Sequence, residues 1–269
     1  NDRILISNTE WTCDFFVSDY SHPAMKEPQF KWCMESENGV VAAGELTYDH
    51  GAYKAVPIGT VKATVPAVEK PQKVILKATL TEGDKVVVNE WDLWIFPDAI
   101  SLPKEVCMSE NGEFDSKAKV VVTPRFTEEL VAYAKAGGTV IVLGSEGLVR
   151  PFNSVLHLEE GRYFFTRPAS FPPYEELQSG TIIQEHPMFG DLPHESYADF
   201  LFYNMLGESP GLDLEPLGFN DCDPVIRMLH SYQVGRSMGC IVERRLGKGL
   251  VIVTSLDMNK KFPEATYLL

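Results

Sequence analysis

Hydrophobic positions alternate in short runs from Trp11 to Phe96, and the pattern changes character after that point. Phe15 to Asp19, Gln29 to Glu35, Val40 to Tyr48, Gly59 to Thr64, Lys73 to Thr81 and Val86 to Phe96 each carry period-2 alternation or β-branched enrichment, which predicts strands. Ser21-His22-Pro23, Glu37-Asn38-Gly39, Asp49-His50-Gly51, Glu69-Lys70-Pro71 and Glu82-Gly83-Asp84 punctuate them with turn-forming residues. Strands broken by turns at roughly 8–12-residue intervals predict an immunoglobulin-like sandwich. Phe30, Trp32 and Met34 share one face and form its expected core. The last run, Asn89 to Pro97 (NEWDLWIFP), puts Trp91, Leu93 and Ile95 on the core face and Glu90, Asp92 and Trp94 on the other.

Beyond it the period is no longer two. Asp98 to Lys117 reads as a linker or crossover, with Glu110-Asn111-Gly112 as a turn. Val120 to Val122 is a short apolar strand, Thr127 to Ala136 a helix stopped by Gly137-Gly138, and Thr139 to Leu143 a second apolar strand. A strand, a helix, a glycine stop and a strand make a βαβ unit, hence parallel pairing. Glu146 to Ser179 reads as an irregular packed insertion, Gly180 to Gln184 as a strand and Ser196 to Leu206 as a helix. Pro224 to Ser231 and Gly239 to Arg245 read as antiparallel strands, Leu250 to Ser255 as an apolar strand, and Pro263 to Leu269 as a helix. The expected chain is therefore multi-domain. An all-β sandwich over residues 1–98 precedes an α/β domain over 99–269 whose parallel sheet is extended by antiparallel strands.

Length agrees, since 269 residues exceed a prior of roughly 150 per domain. A formal net charge of −14, without a Lys/Arg cluster, excludes the counterion-releasing surface that nucleic-acid binding needs. No apolar run approaches the roughly 20 residues of a membrane span, and the start lacks a signal-peptide pattern. A first residue other than Met, and an end inside a helical run, point to a fragment of a longer protein. The five cysteines lack a C-x-x-C pair, so no zinc site is expected. Cys33 and Cys240 sit within apolar strand patterns and read as buried thiols, with a Cys13–Cys33 disulfide left open for an oxidising compartment.

Four stretches invite a chemical reading. Gly144-Ser145-Glu146-Gly147 follows an apolar strand, but lacks the glycine register of a nucleophile elbow, so Ser145 reads as part of a plain turn. Gly247-Lys248-Gly249 lies between two strands rather than before a helix, which makes it a hairpin turn and not a phosphate loop. His186, Asp191, His194 and Glu195 match no metal-ligand spacing, and the histidines read as loop residues. Glu90 and Asp92 stand about 7 Å apart along one strand face, and parallel side chains cannot flank a glycosidic bond. Trp94 beside them is either a sugar platform or, with Phe96, packing at a domain junction, which its boundary position favours. No catalytic residue, metal ligand or cofactor is assigned.

The order of Phe15 to Tyr20 (FFVSDY), Phe30-Lys31-Trp32, Gly44-Glu45-Leu46, Ile58-Gly59, Pro71 to Leu80 and NEWDLWIFP resembles the sandwich that follows the barrel in family 2 glycoside hydrolases, which include β-galactosidases and β-glucuronidases. His186-Pro187, Arg245 to Gly249 and Val251 to Asp257 resemble the α/β domain, similar to flavodoxin and class I glutamine amidotransferase folds, appended in bacterial members. Asn89-Glu90 matches that family's acid/base dipeptide by letter only, because a (β/α)8 barrel needs about 200 residues or more of repeating strand and helix. No Cys occupies the turn after Thr139 to Leu143 either. The resemblance implies a non-catalytic C-terminal portion of a larger glycosidase, bracing its barrel, shaping its cleft or mediating oligomerisation. It implies as partners the barrel of the same parent chain, with carbohydrate and a second copy as further candidates, and a periplasmic or secreted location. A carbohydrate-binding module is the alternative, and an independent α/β hydrolase using Ser145 or His186 a lower one.

Overall fold

The computed structural model describes residues 3–115, 117–144, 151–153, 180–206, 210–215, 221–229 and 237–269. The chain forms two compact units, Asn1–Ala99 with Asp191–Pro193, and Ile100–Gly190 with His194–Leu269.

The first unit is built from β1 (Ile4–Ile6), β2 (Glu10–Ser18), β3 (Gln29–Ser36), β4 (Gly39–Leu46), β5 (Ala55–Thr64), β6 (Gln72–Glu82) and β7 (Lys85–Phe96). A five-stranded sheet runs β1-β7-β6-β3-β4, and a two-stranded sheet pairs β2 with β5. All neighbours are antiparallel except β1 and β7, which run parallel in the register Ile4↔Trp94. Alternation fills the space between the sheets, because every second side chain of a strand points to the same face. Phe30, Trp32 and Met34 of β3, Val74, Leu76, Ala78 and Leu80 of β6, and Leu93 and Ile95 of β7 meet Trp11 and Phe15 of β2 and Ile58 and Val61 of β5. Ring centroids lie 6.1 Å apart for Trp11 and Trp32 and 5.0 Å apart for Phe15 and Phe30. Each buried Val, Leu, Ile, Phe or Met of this set stabilises the fold by about 1.5–3 kcal/mol. Trp32 lies against its cross-strand partner Gly44, where a Cβ would come within 2.8 Å of the indole Nε1. Glycine is thus the residue that admits the ring.

Three strand readings need correction. The predicted strand Phe15 to Asp19 starts at Glu10, the one read as Gly59 to Thr64 starts at Ala55, and β1 lies ahead of both. Three residues carry no period, and β1 is a strand because β7 offers it a hydrogen-bonding edge.

The second unit holds β8 (Val106–Met108), β9 (Val120–Thr123), α1 (Glu128–Ala136), β10 (Thr139–Leu143), β11 (Pro151–Asn153), β12 (Gly180–Ile183), α2 (Tyr203–Leu206), β13 (Pro210–Asp213), β14 (Ile226–Leu229), β15 (Ser237–Leu246), β16 (Gly249–Thr254) and α3 (Pro263–Leu268). Its mixed sheet runs β11-β13-β15-β16-β10-β9-β8, with β14 joining β15 to β12. β8, β9, β10 and β16 are mutually parallel, and the remaining pairings are antiparallel. The βαβ unit is β9-α1-β10. Thr127 caps α1 by accepting from the Leu130 N–H, and Gly137 ends it at φ 125°. Leu130 and Ala134 bury that helix against Val121, Val140, Val142, Val251 and Val253.

The crossover from Asp98 to Lys117, which the sequence predicts as linker, contains β8 paired with β9. Ser196 to Leu206, expected as one helix, is a 3-10 turn at Phe200–Phe202 followed by the single turn of α2. Asp199 accepts from the Leu201 N–H and so starts the helical backbone only there. The predicted insertion over Glu146 to Ser179 lies outside the described residues except for β11.

Candidate functional site

The residues with suggestive chemistry are spread over both units, each serving its own local structure. Glu90 pairs with Lys77 at 3.1 Å and Asp92 with Lys73 at 3.1 Å across the β6–β7 ladder. The Glu90 carboxylate raises the Lys77 pKa by hydrogen bonding and by charge. Both acids are thus cross-strand partners of lysines. Trp94 and Phe96 are fully buried and stand outside the cluster that fills the sandwich, where Leu93 and Ile95 lie. The Trp94 indole N–H has no partner among the described residues, and stacking on a sugar would need a ring face that this burial does not expose.

His186 accepts from the Met188 N–H, capping the 3-10 turn Pro187–Phe189, and its Nε2 lies 3.5 Å from Glu243. His194 Nδ1 meets the Glu195 carbonyl at 2.9 Å with its ring 4.3 Å from Phe189, and Asp191 pairs with Lys70 at 2.8 Å. Among the described residues no three His, Cys, Asp or Glu side chains gather as a metal site. Lys248 belongs to a turn that finishes α1, since its N–H donates to the Lys135 carbonyl and that of Leu250 to the Gly138 carbonyl. A Cβ on Gly249 would overlap the Ala134 and Gly138 carbonyl oxygens, so close approach dictates the glycine. Ser145 lies outside the described residues. Cys13 and Cys33 are free thiols whose pKa values burial raises. No described helix is long and apolar enough to cross a membrane.

Among the described residues, the most developed polar site is built around turn segments to which the sequence assigns no chemistry. β2 ends at Ser18, and Asp19 follows it only 7% exposed. One carboxylate oxygen accepts from the Ser21 N–H at 2.8 Å and the Ser21 hydroxyl at 2.6 Å. The other accepts from the Met25 N–H at 2.8 Å and meets His50 Nε2 at 3.0 Å. His50 Nδ1 in turn meets the Tyr48 hydroxyl at 3.0 Å. The Ser21 hydrogen bonds above all, then those of Met25 and His50, hold the Asp19 carboxyl far below the usual carboxylate range. Burial and the Asp19 charge raise the Tyr48 pKa. If Nε2 donates to the carboxylate, Nδ1 of a neutral ring is the acceptor for the Tyr48 hydroxyl.

This chain of Tyr, His and Asp has the order of a proton relay. Both ring nitrogens are engaged inside it, however, and the His50 side chain is almost wholly buried. Its effect is to fix two loops. Tyr53 donates its N–H to the Asp19 carbonyl at 2.7 Å and holds a left-handed φ of 59°, unusual for a side chain of its size. Glu82 accepts from the Lys26 and Glu27 N–H groups at 2.7 and 2.6 Å, and Lys85 donates to the Pro23 carbonyl at 2.6 Å. Met25 drives the middle of the first loop into the core. On this support Tyr20 and Tyr53 project into solvent, 69% and 56% exposed, with ring centroids 6.3 Å apart at 62°. His22 Nδ1 lies 3.5 Å from the Tyr53 hydroxyl.

Two solved structures of the Parabacteroides merdae β-glucuronidase, one with glycerol in its active site, are similar over 51% of this chain at 9% and 12% identity, with TM-scores of 0.27 and 0.28. The matched region spans only 23% and 22% of those enzymes. No curated protein matches the sequence. A family model described as a domain of unknown function (DUF8488) matches residues 9–97. A second, described as a domain of unknown function (DUF8487), matches residues 121–269, more than half of the chain, and the protein belongs to that family.

Proposed function

We propose that this chain is a non-catalytic portion of a larger carbohydrate-active glycoside hydrolase, acting to brace its catalytic domain, shape its cleft or mediate oligomerisation. The observation that carries the reading is the fate of Glu90 and Asp92. This pair has the spacing that invites a glycosidase mechanism, and each acid is engaged by a lysine on the neighbouring strand. A glycosidase needs one carboxyl on each side of the scissile bond, with one protonated. Two acids projecting in parallel from one sheet face, each beside a lysine of the neighbouring strand, cannot stand on opposite sides of that bond. The stretches that resemble the family 2 glycoside hydrolase sandwich run from β2 to β7 and support that parent class.

The test is hydrolysis of aryl β-galactosides and β-glucuronides by the 269-residue chain. The expected result is no turnover above the buffer rate, unchanged in Glu90→Gln. Enzyme-like turnover abolished by that substitution would overturn the reading.

A further inference from the structure

We propose that Tyr20, Tyr53 and His22 form a saccharide-binding site on the loops of the sandwich. The inference rests on the carbohydrate-active reading for its ligand class and on the loop geometry for its place. Exposed aromatic rings are ordinarily scattered or left to move. Here two of them meet at a 62° corner, on backbone tied down by Asp19, Glu82 and Lys85. Holding Tyr53 at φ 59° places its ring there against the usual preference of a non-glycine residue. Loops fixed before binding lose less entropy when a ligand arrives.

The surface so displayed is amphipathic. Two π faces offer a platform for the C–H face of a pyranose, while the tyrosine hydroxyls and the His22 ring offer donors and acceptors to its hydroxyls. The groups that form the corner are two phenols and an imidazole, which suits an uncharged sugar better than an anion. The buried Asp19 charge is neutralised by its own donors and takes no direct part.

Saturation-transfer NMR and calorimetry on the full chain, with β-1,4-linked glucose, xylose and mannose tetrasaccharides and a β-galactoside disaccharide as probes, test the site. Saturable binding of at least one probe is expected, weakened roughly tenfold by Tyr20→Ala and by Tyr53→Ala. Tyr197→Ala, which removes an exposed ring from the other unit, should leave affinity unchanged. Absence of saturable binding across the panel, or wild-type affinity in either loop variant, would overturn the proposal. Neither result bears on the hydrolysis assay, so the two readings fail separately.

Discussion

The two units solve the burial problem differently. In the sandwich, β3 and β6 alternate, with one face entering the shared core and the other carrying charge such as Lys31, Glu35 and Lys77. In the mixed-sheet unit, β9 and β10 are nearly continuous in apolar residues, with one face packed against α1 and the other half-buried in β10 and largely buried in β9. Polar capacity follows suit. The sandwich gathers a loop network around Asp19, whereas among the described residues of the second unit Thr127, Asp199 and the turn at Gly247 serve helix ends. The difference teaches where a site can be built. An antiparallel sandwich leaves its loops free to display side chains, while a short βαβ unit consumes its turns in closing the helix.

That contrast can be broken at three places. The largest effect belongs to Trp32→Ala, which empties the centre of the sandwich core and should cost about 3–5 kcal/mol in urea unfolding followed by tryptophan fluorescence. A loss below about 1 kcal/mol would mean the aromatic cluster is not the centre of that core. Gly249→Val tests the second unit, since its side chain would strike the carbonyls at the end of α1. About 1–3 kcal/mol of destabilisation is expected, read as a shift of the chemical denaturation midpoint.

The smallest effect, and the one that depends on pH, is that of Asp19→Asn. The folded carboxyl titrates below its unfolded value near 3.9. Its ionisation therefore stabilises the fold above that pH, and the contribution disappears as the pH falls towards the folded value. The melting temperature of the variant should trail wild type at pH 7, and the gap should narrow below about pH 4. A gap that stays constant down to pH 2 would remove the charge from the argument.

Several elements are legible in the amino-acid sequence alone. Gln29 to Glu35, Lys73 to Thr81 and Val86 to Phe96 fall within β3, β6 and β7, and Thr139 to Leu143 coincides with β10. Trp32 is readable as core because its neighbours two positions away are also apolar. β1 and β8 are not readable, since three-residue strands have no period and exist through β7 and β9. The Asp19 network is not readable either. Asp19-Tyr20-Ser21 does carry an Asx-turn signal, with Asp19 accepting from the Ser21 N–H, but His50 stands 31 residues from Asp19.

What the sequence determined by itself is local and periodic: which faces of β3, β6 and β7 turn inward, where α1 starts and stops, and that Gly247-Lys248-Gly249 is a turn. Those follow from side-chain spacing and backbone preference within a few residues. Tertiary structure alone decided the rest. It buried Trp94 on the face opposite the sandwich core, assigned Glu90 and Asp92 to lysines, and brought Tyr48 and His50 to Asp19. Pairing between distant segments is set by sheet register and loop closure, which no short window of residues contains.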